Sequence, residues 1–274
     1  MDNRPIGIFD SGLGGLTSLR ALREFLPEEN IIYFGDSGRM PYGGKTRSQL
    51  RGMARQNLSF ISSFGVKAIL VACGTLSSNA GDLLAAWPIP TVGVLRSSAD
   101  WMRHLSGSGP LAVAATAASI RSGGYQAALS EACPGREVLA VACPDFVPLI
   151  ESGHSGPDDP LVRDAVARYL TPVRDARAEA LLLGCTHYGL IHDAISDFLG
   201  PGTLLVSAAE SGAASLCAQL LKTGSTGGSG AVRYYTSGDP SEFSRAAALF
   251  LGMDSAAVDV TAVPVQPIPD GAAE

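Results

Sequence analysis

Two cysteines occupy the same place in two similar segments of the sequence. Cys73 ends the run "ILVAC" and Cys185 ends "LLLGC", and hydroxyl side chains follow each of them, Thr75 in one case and Thr186 in the other. A cysteine flanked by apolar residues is commonly a small hydrophobic core residue. As a thiolate, however, the same side chain can act as a nucleophile or a general base. The elements that carry the two thiols decide between these interpretations.

The remaining cysteines do not suggest a second kind of chemistry. Cys133, Cys143 and Cys217 are interpreted as core residues, and five widely spaced cysteines fit neither a disulfide framework nor a CxxC zinc pattern. His187 follows Cys185 by two residues, which is also a fragment of a metal site, but no further ligands stand at useful spacing. We therefore expect reduced thiols and no metal.

Composition excludes several classes of partner. The 274 residues are 46% hydrophobic and 17% charged, which suits one large or two ordinary globular domains. The 20 basic and 26 acidic residues give a net charge of -6, and no basic run indicates nucleic acid. No apolar stretch approaches the ~20 residues that span a bilayer, and the N-terminus does not resemble a secretion signal. We expect a cytoplasmic protein without nucleic acid or membrane partners.

Short apolar runs alternate with amphipathic stretches, which predicts the α/β class with parallel sheets covered by helices. Strands are predicted over residues 5–10, 30–36, 67–73, 89–95, 110–116, 137–143, 178–185 and 232–238, and helices over 16–26, 47–65, 122–132 and 160–170. Both cysteines then lie at the carboxyl ends of strands, where parallel sheets bind ligands. Residues 221–231 are predicted to form a flexible loop, and the proline-containing tail from about 255 a poorly ordered extension.

The glycine-rich segment "FDSGLGGLTSL" lies between the first strand and the first helix. Thr17 stands where a dinucleotide-binding G-x-G-x-x-G requires its third glycine, so that motif is not supported. The glycines instead let Asp10 and Ser11 approach a small substrate, with the helix N-terminus favouring a carboxylate. Alternatively, Asp10 caps the first helix, and the sequence does not decide between this role and contact with a substrate.

Seven segments together carry a resemblance that covers residues 6 to about 252. They are "IGIFDSGLGGLTSLRALREFLP", "IIYFGDSGRMPYGGKT", "ILVACGT", "ATAASIRSGGYQAAL", "CPDFVPLIESG", "LLLGCTHYGLI" and "YYTSGDPSEF". In this order they resemble the glutamate racemases of the aspartate/glutamate racemase family, cofactor-independent isomerases that supply D-glutamate for peptidoglycan. The resemblance implies two similar α/β domains, each with a mainly parallel sheet flanked by helices, and an active site in the cleft. The expected domains are 1–96 completed by 209–254, and 97–208, with 255–274 as the disordered tail.

The resemblance also assigns the catalytic residues. Cys73 and Cys185 would face the substrate's Cα from opposite sides, one removing the α-proton and the other delivering a proton. Asp10 would assist Cys73, and His187 with Glu151 would assist Cys185, since an unperturbed thiol is mostly protonated at neutral pH. Near-attack distances on both sides predict sulfur atoms about 7 Å apart in a closed, liganded site.

The same matching gives the expected surroundings of a small amino acid substrate. These residues are Asp10, Ser11, Tyr42, Gly43, Gly74, Thr75, Thr116, Ser119, Thr186 and His187. Hydroxyl and backbone N–H groups can hold two carboxylates without a strong cation. Relatives commonly pair, which leaves a homodimer open.

Departures from the family pattern raise alternatives for the substrate. Gly74 stands where the family has asparagine, which deletes a substrate contact and is expected to open space beside Cys73. Gly189 stands where proline is usual, which is expected to loosen the loop after Cys185. Racemisation of aspartate or a bulkier amino acid is therefore one alternative, and an amino acid-binding relative without turnover is another.

Overall fold

The computed structural model describes residues 1–252, 254 and 258–266, which contain two parallel sheets. The larger sheet has the strand order β10-β9-β2-β1-β3-β4 and the smaller one β6-β5-β7-β8. The larger sheet contains β1 (Ile6–Asp10), β2 (Ile31–Gly35), β3 (Ala68–Val71), β4 (Thr91–Gly93), β9 (Val232–Thr236) and β10 (Val260–Ala262). The smaller one contains β5 (Leu111–Ala115), β6 (Val138–Ala142), β7 (Ala180–Leu183) and β8 (Leu204–Ser207).

Helices flank both sheets, as the α/β prediction requires. They are α1 (Leu16–Phe25), α2 (Arg47–Ser62), α3 (Gly74–Asn79), α4 (Gly81–Ala85), α5 (Val94–Met102), α6 (Ala117–Arg121), α7 (Gly124–Ala132), α8 (Phe146–Glu151), α9 (Pro160–Asp175), α10 (His192–Leu199), α11 (Ala208–Thr223) and α12 (Pro240–Leu251). Short 3₁₀ turns cover Ser37–Arg39 and Thr186–Ile191. Two parallel sheets, each flanked by helices, confirm the fold prediction.

Local sequence explains where the longest helices begin. Thr46 and Gln49 form a capping box before α2, in which each side chain accepts a backbone N–H at the other residue. Asp159 caps α9, whose first residue is proline, and Ser207 caps α11. These caps satisfy N–H groups that have no partner within the helix.

The strand order brings the predicted site residues to two facing crevices. In the larger sheet β1 lies between β2 and β3, so the chain changes direction there, and in the smaller sheet β5 lies between β6 and β7 in the same way. Crevices at such switch points bind ligands in open α/β sheets. Asp10 ends β1 and Cys73 follows β3, while Thr116 follows β5 and Cys185 follows β7. The carboxyl ends of the central strands of both sheets can therefore contact one ligand between them.

The C-terminal segment differs from its prediction. Residues 260–262, expected in a disordered tail, form β10 and pair in parallel with β9. The amide of Val263 also donates to Thr236 O (2.8 Å). The alternating valine and threonine residues around 260 carry the strand signal, but the prolines that follow obscured it. Residues 255–257 and 267–274 of that prediction lie outside the described residues, and the predicted domain boundaries stay a prediction.

No helix within the described part of the chain combines the length and apolar character that a membrane crossing requires.

A buried ion pair lies at the end of the larger sheet away from the site. Lys67 Nζ lies 2.5 Å from Glu29 Oε2, and the two side chains are 1% and 2% exposed. Lys67 also donates to the carbonyl of Asp2 (2.7 Å). Removing one partner of such a pair leaves an uncompensated buried charge.

We expect Lys67→Met to lower the free energy of unfolding by about 3–5 kcal/mol, because Glu29 then remains buried without its cation. Denaturant unfolding measures this loss. The matched control is Arg96→Met, whose partner Glu131 is largely exposed, so that a change within about 0.5 kcal/mol is expected. Equal effects of the two substitutions would contradict the assignment of Lys67 and Glu29 as a stabilising buried pair.

Candidate active site

One cavity of about 150 Å³ lies between the two sheets and receives residues from both. Its volume suits a small metabolite better than a drug-sized ligand. The lining residues are Asp10, Ser11, Met40, Pro41, Tyr42, Gly43, Gly44, Cys73, Gly74, Thr75, Thr116, Ala117, Cys143, Pro144, Val147, Pro148, Glu151, Cys185, Thr186 and His187. Every predicted site residue except Ser119 is in this set. The predicted residues, which come from segments far apart in the chain, therefore line one cavity.

Cys73 and Asp10 form the part of the cavity supplied by the larger sheet. Burial, followed by the negative charge of Asp10, raises the pKa of Cys73 above its usual range. Asp10 Oδ2 accepts the N–H of Gly15 just before α1 (2.8 Å), whereas its buried Oδ1 has no protein partner. Gly15 is the N-cap residue of α1 and no side chain caps this helix, so Asp10 is not its cap. One oxygen of Asp10 instead holds the turn before α1, and the other remains available to a ligand. Cys73 is a thiol in this environment.

Cys185, His187 and Glu151 form a connected group on the opposite side. His187 Nδ1 lies 3.8 Å from Cys185 Sγ, and His187 Nε2 lies 3.1 Å from Glu151 Oε1. Burial opposes a charge on the imidazole, but the bonds to Cys185 and Glu151 outweigh it and raise the pKa of His187 to about 10. At neutral pH the ring is therefore an imidazolium that can donate to a thiolate and a carboxylate together.

We expect Glu151→Gln to lower the pKa of His187 below about 10, because a neutral amide no longer stabilises the imidazolium. Activity that depends on the protonated ring then declines at a lower pH than in the wild type. NMR titration of the imidazole nitrogens measures the shift, with the His187 signal assigned by its loss in His187→Asn. An unchanged titration in Glu151→Gln would contradict the coupling of these two side chains.

A chain of hydroxyl groups crosses the cleft. Thr75 Oγ1 lies 2.9 Å from Thr116 Oγ1, which lies 2.9 Å from Ser119 Oγ. Ser119 is fully buried behind Thr116 and does not line the cavity. Thr75 and Thr116 therefore join the two halves at the cavity wall. Ser119 supports Thr116 from behind, and its predicted contact with substrate stays a prediction.

Tyr42 reaches the cavity with its hydroxyl already engaged. The hydroxyl donates to the carboxylate of Asp36, which is fully buried and also accepts from Arg39 (2.8 Å) and Ser237 (2.6 Å). This network fixes the segment before α2, whose Gly43 carbonyl accepts the N–H of Ala118 from the other half (3.1 Å). At the cavity wall, Tyr42 therefore presents its aromatic ring and Gly43 its backbone, because the Tyr42 hydroxyl is already bound to Asp36.

Gly14 explains part of the glycine-rich segment. A Cβ at Gly14 would lie 2.4 Å from both His187 Nδ1 and Thr186 Oγ1, which no real Cβ contact allows. The backbone after Asp10 thus packs directly against the residues that follow Cys185. The glycine serves this close approach and not a dinucleotide.

The expectation that Gly74 opens space is wrong. A Cβ built at Gly74 would lie 2.1 Å from the carbonyl oxygen of Gly184 and 2.8 Å from the hydroxyl of Tyr125. The space that a side chain would need is filled by these groups of the other half. Gly189, the second departure, has no atom within 4 Å of a Cβ and accepts the N–H of His192, and the structure gives no account of its effect on the loop.

Cys143 is a buried core residue, as predicted, and it also lines the cavity, which was not predicted. It follows β6 directly, lines the cavity, and has its pKa raised by burial and then by the charges of Cys185 and Asp145. Its position at the carboxyl end of a predicted strand is the same signal that identified Cys73 and Cys185. No strand-end pattern in the sequence indicated the apolar cavity-wall residues Met40, Pro41, Val147 and Pro148.

The family model described as Asp/Glu/Hydantoin racemase matches residues 18–216 of the chain. A glutamate racemase of Beutenbergia cavernae is 38% identical over 268 residues, covering 92% of this chain and 91% of its own.

Two solved structures share the fold over almost their full length. A glutamate racemase of Francisella tularensis, in complex with D-glutamate, has a TM-score of 0.88 and 33% identity and covers 96% of this chain and 98% of its own. A glutamate racemase of Thermus thermophilus, in complex with beta-chloro-D-alanine, has a TM-score of 0.84 and 38% identity, with 97% and 99% covered. The chain is thus similar to these enzymes in sequence, length and fold.

Proposed function

The chain belongs to the Asp/Glu/hydantoin racemase family and is an amino acid racemase, an isomerase, and we propose that it interconverts L- and D-glutamate by proton transfer between two cysteines. One observation carries the proposal: a thiol from each half of the molecule, Cys73 and Cys185, lines a single small cavity. A binding protein without turnover has no need of two thiols with separate acid and base environments.

The two thiols have different environments, which suits opposite roles. Protonated His187 lies beside Cys185 and can donate a hydrogen bond to its sulfur (Nδ1 to Sγ, 3.8 Å). Burial keeps the proton on Cys73. In one direction, the Cys185 thiolate takes the α-proton and leaves the electron pair on Cα. The Cys73 thiol then donates its proton to the opposite face, so Cys73 ends as the thiolate and Cys185 as the thiol. The reverse reaction begins from that form.

The cavity wall supports an acidic amino acid as substrate. None of the described residues that line it is a lysine or an arginine. Its polar groups are the hydroxyls of Ser11, Thr75, Thr116 and Thr186 and the imidazolium of His187, together with three thiols and the carboxyl groups of Asp10 and Glu151. The relatives named above are glutamate racemases. The case for a bulkier substrate rested on space at Gly74, which Gly184 and Tyr125 fill.

Turnover of purified enzyme tests the proposal. Chiral chromatography should detect conversion of L-glutamate to D-glutamate and the reverse without added cofactor, with kcat/KM well above that for aspartate or phenylalanine. Preference for aspartate would overturn the substrate, and tight glutamate binding without conversion would overturn the racemase.

We further propose that the enzyme supplies D-glutamate for peptidoglycan in the cytoplasm, as the family resemblance implies. All five cysteines are free, which is what a reducing compartment maintains. Rescue of a bacterial strain that requires D-glutamate tests this role. Assembly as a homodimer stays a prediction.

A further inference from the structure

We infer that Gly14 is a positioning residue for His187, an inference that rests on the proposed two-cysteine reaction. Gly14 lies between β1 and α1, in the half of the molecule that supplies Asp10 and Cys73. A Cβ at Gly14 would lie 2.4 Å from Nδ1 and 2.7 Å from Cε1 of the His187 ring, which belongs to the other half. The ring therefore occupies space that only a glycine at this position leaves free.

Hydrogen bonds hold the backbone on both sides of Gly14. The N–H of Gly15 donates to Asp10 Oδ2 (2.8 Å), and the carbonyl of Gly14 accepts from the N–H (3.1 Å) and the hydroxyl (2.7 Å) of Thr17. The Thr17 hydroxyl also lies 3.3 Å from the carbonyl of Thr186 in the other half. Moving this segment costs several of these bonds, so a methyl group at position 14 displaces its neighbours instead.

The His187 ring is held on its other sides as well. Its nitrogens contact Cys185 (3.8 Å) and Glu151 (3.1 Å). The ring of Phe250 in α12 lies at 88° to it, with 6.2 Å between the ring centroids. The residue is only 2% exposed, so the ring has no open solvent beside it. A group that pushes on the ring from position 14 therefore disturbs its bonds to the thiol and the carboxylate.

The position of the ring determines both its charge and the rate. Burial lowers the pKa of His187, but the titratable groups that face the ring, Cys185, Glu151 and Asp10, raise it to about 10. A displaced ring loses these contacts, so its pKa falls whether the ring stays buried or reaches water. A misplacement of 1 Å can also lower a rate by about 100-fold. Gly14 thus affects the reaction through the imidazole and without touching the substrate.

The experiment compares Gly14→Ala with Gly81→Ala. Both glycines lie near the start of a helix with φ outside the left-handed region. At Gly81, however, no atom of the described chain beyond the neighbouring residues and its own helix lies within 4 Å of a Cβ. NMR titration of the imidazole should give a lower His187 pKa in Gly14→Ala, and kcat/KM for glutamate should fall by about 100-fold. Gly81→Ala should match the wild type in both measurements.

A double variant shows whether Gly14 acts through the imidazole. His187→Ala removes both ring atoms that clash, so adding Gly14→Ala to it should lower kcat/KM by about twofold or less. Losses that multiply would place the effect elsewhere, such as at Thr186 Oγ1, which also lies 2.4 Å from the added Cβ, and would overturn the inference. An unchanged His187 titration in folded Gly14→Ala overturns it as well.

Thr17→Val decides the question if Gly14→Ala does not fold. Valine keeps the shape of threonine but removes the hydroxyl that donates to the Gly14 carbonyl, so the segment is held less firmly against the ring. We expect a lower His187 pKa and a loss of about two- to tenfold in kcat/KM. Wild-type values of both, when Gly14→Ala is insoluble, overturn the inference. A wild-type enzyme that does not racemise glutamate overturns the proposed function instead, while the His187 titration still tests the role of Gly14.

Discussion

Replacement of either Cys73 or Cys185 by alanine is expected to lower the racemisation of glutamate by about 1,000-fold or more, within the range that loss of a general acid or base produces. Inversion needs a base on one face of Cα and an acid on the other, so neither thiol can substitute for its partner. The same loss is expected in both directions, because the two enantiomers have equal free energy and every turnover uses both thiols.

Chiral chromatography of L- and D-glutamate measures this loss. Cys217→Ala is a suitable control, since Cys217 is a buried free cysteine in α11 that does not line the cavity. Wild-type activity in the control together with loss in both site variants is the expected pattern. Inversion that survives replacement of either site cysteine would contradict the two-base mechanism.

His187→Asn is expected to lower kcat/KM for glutamate by about 100-fold, because a neutral amide cannot stabilise a thiolate as the imidazolium does. The imidazolium lies between Cys185 and Glu151 and is 2% exposed, so no water replaces its charge. The reduction must be equal for the two enantiomers in kcat/KM, whereas kcat itself need not fall equally.

The matched control is His192→Asn, which replaces an exposed histidine whose side chain hydrogen-bonds to its neighbour Asp193. Initial rates over a range of glutamate concentrations give kcat and KM for both variants. Equal kinetics in His187→Asn and the wild type would remove His187 from the mechanism, even if the site cysteines prove essential.

The sheet edges that form the site could be predicted because their signals are local. Apolar runs end at Asp10, Cys73, Thr116 and Cys185, and parallel pairing must bring such ends to one edge of each sheet. The edge strand β8 was missed because it is only four residues long and partly exposed, so its run of apolar residues is short. The strand β10 was missed because prolines follow its alternating valine and threonine residues.

The spatial contacts could not be predicted, because they join residues far apart in the chain. Nothing near Gly74 in the sequence indicates that the carbonyl of Gly184 fills its side-chain space. The same holds for Ser119, whose hydroxyl group supports Thr116 instead of lining the cavity. Cys143 is different, because its core position was predicted correctly and its place at the end of a predicted strand could also have indicated that it lines the cavity.

The path of the α-hydrogen during a single inversion tests the central claim most directly. Protiated L-glutamate is incubated with the enzyme in D2O, and the early D-glutamate and the unreacted L-glutamate are separated and examined by proton NMR. Two opposed thiols predict D-glutamate that carries deuterium at Cα and remaining L-glutamate that keeps its protium. Early D-glutamate that retains the original hydrogen would contradict the account, because one group would then have moved the proton between faces.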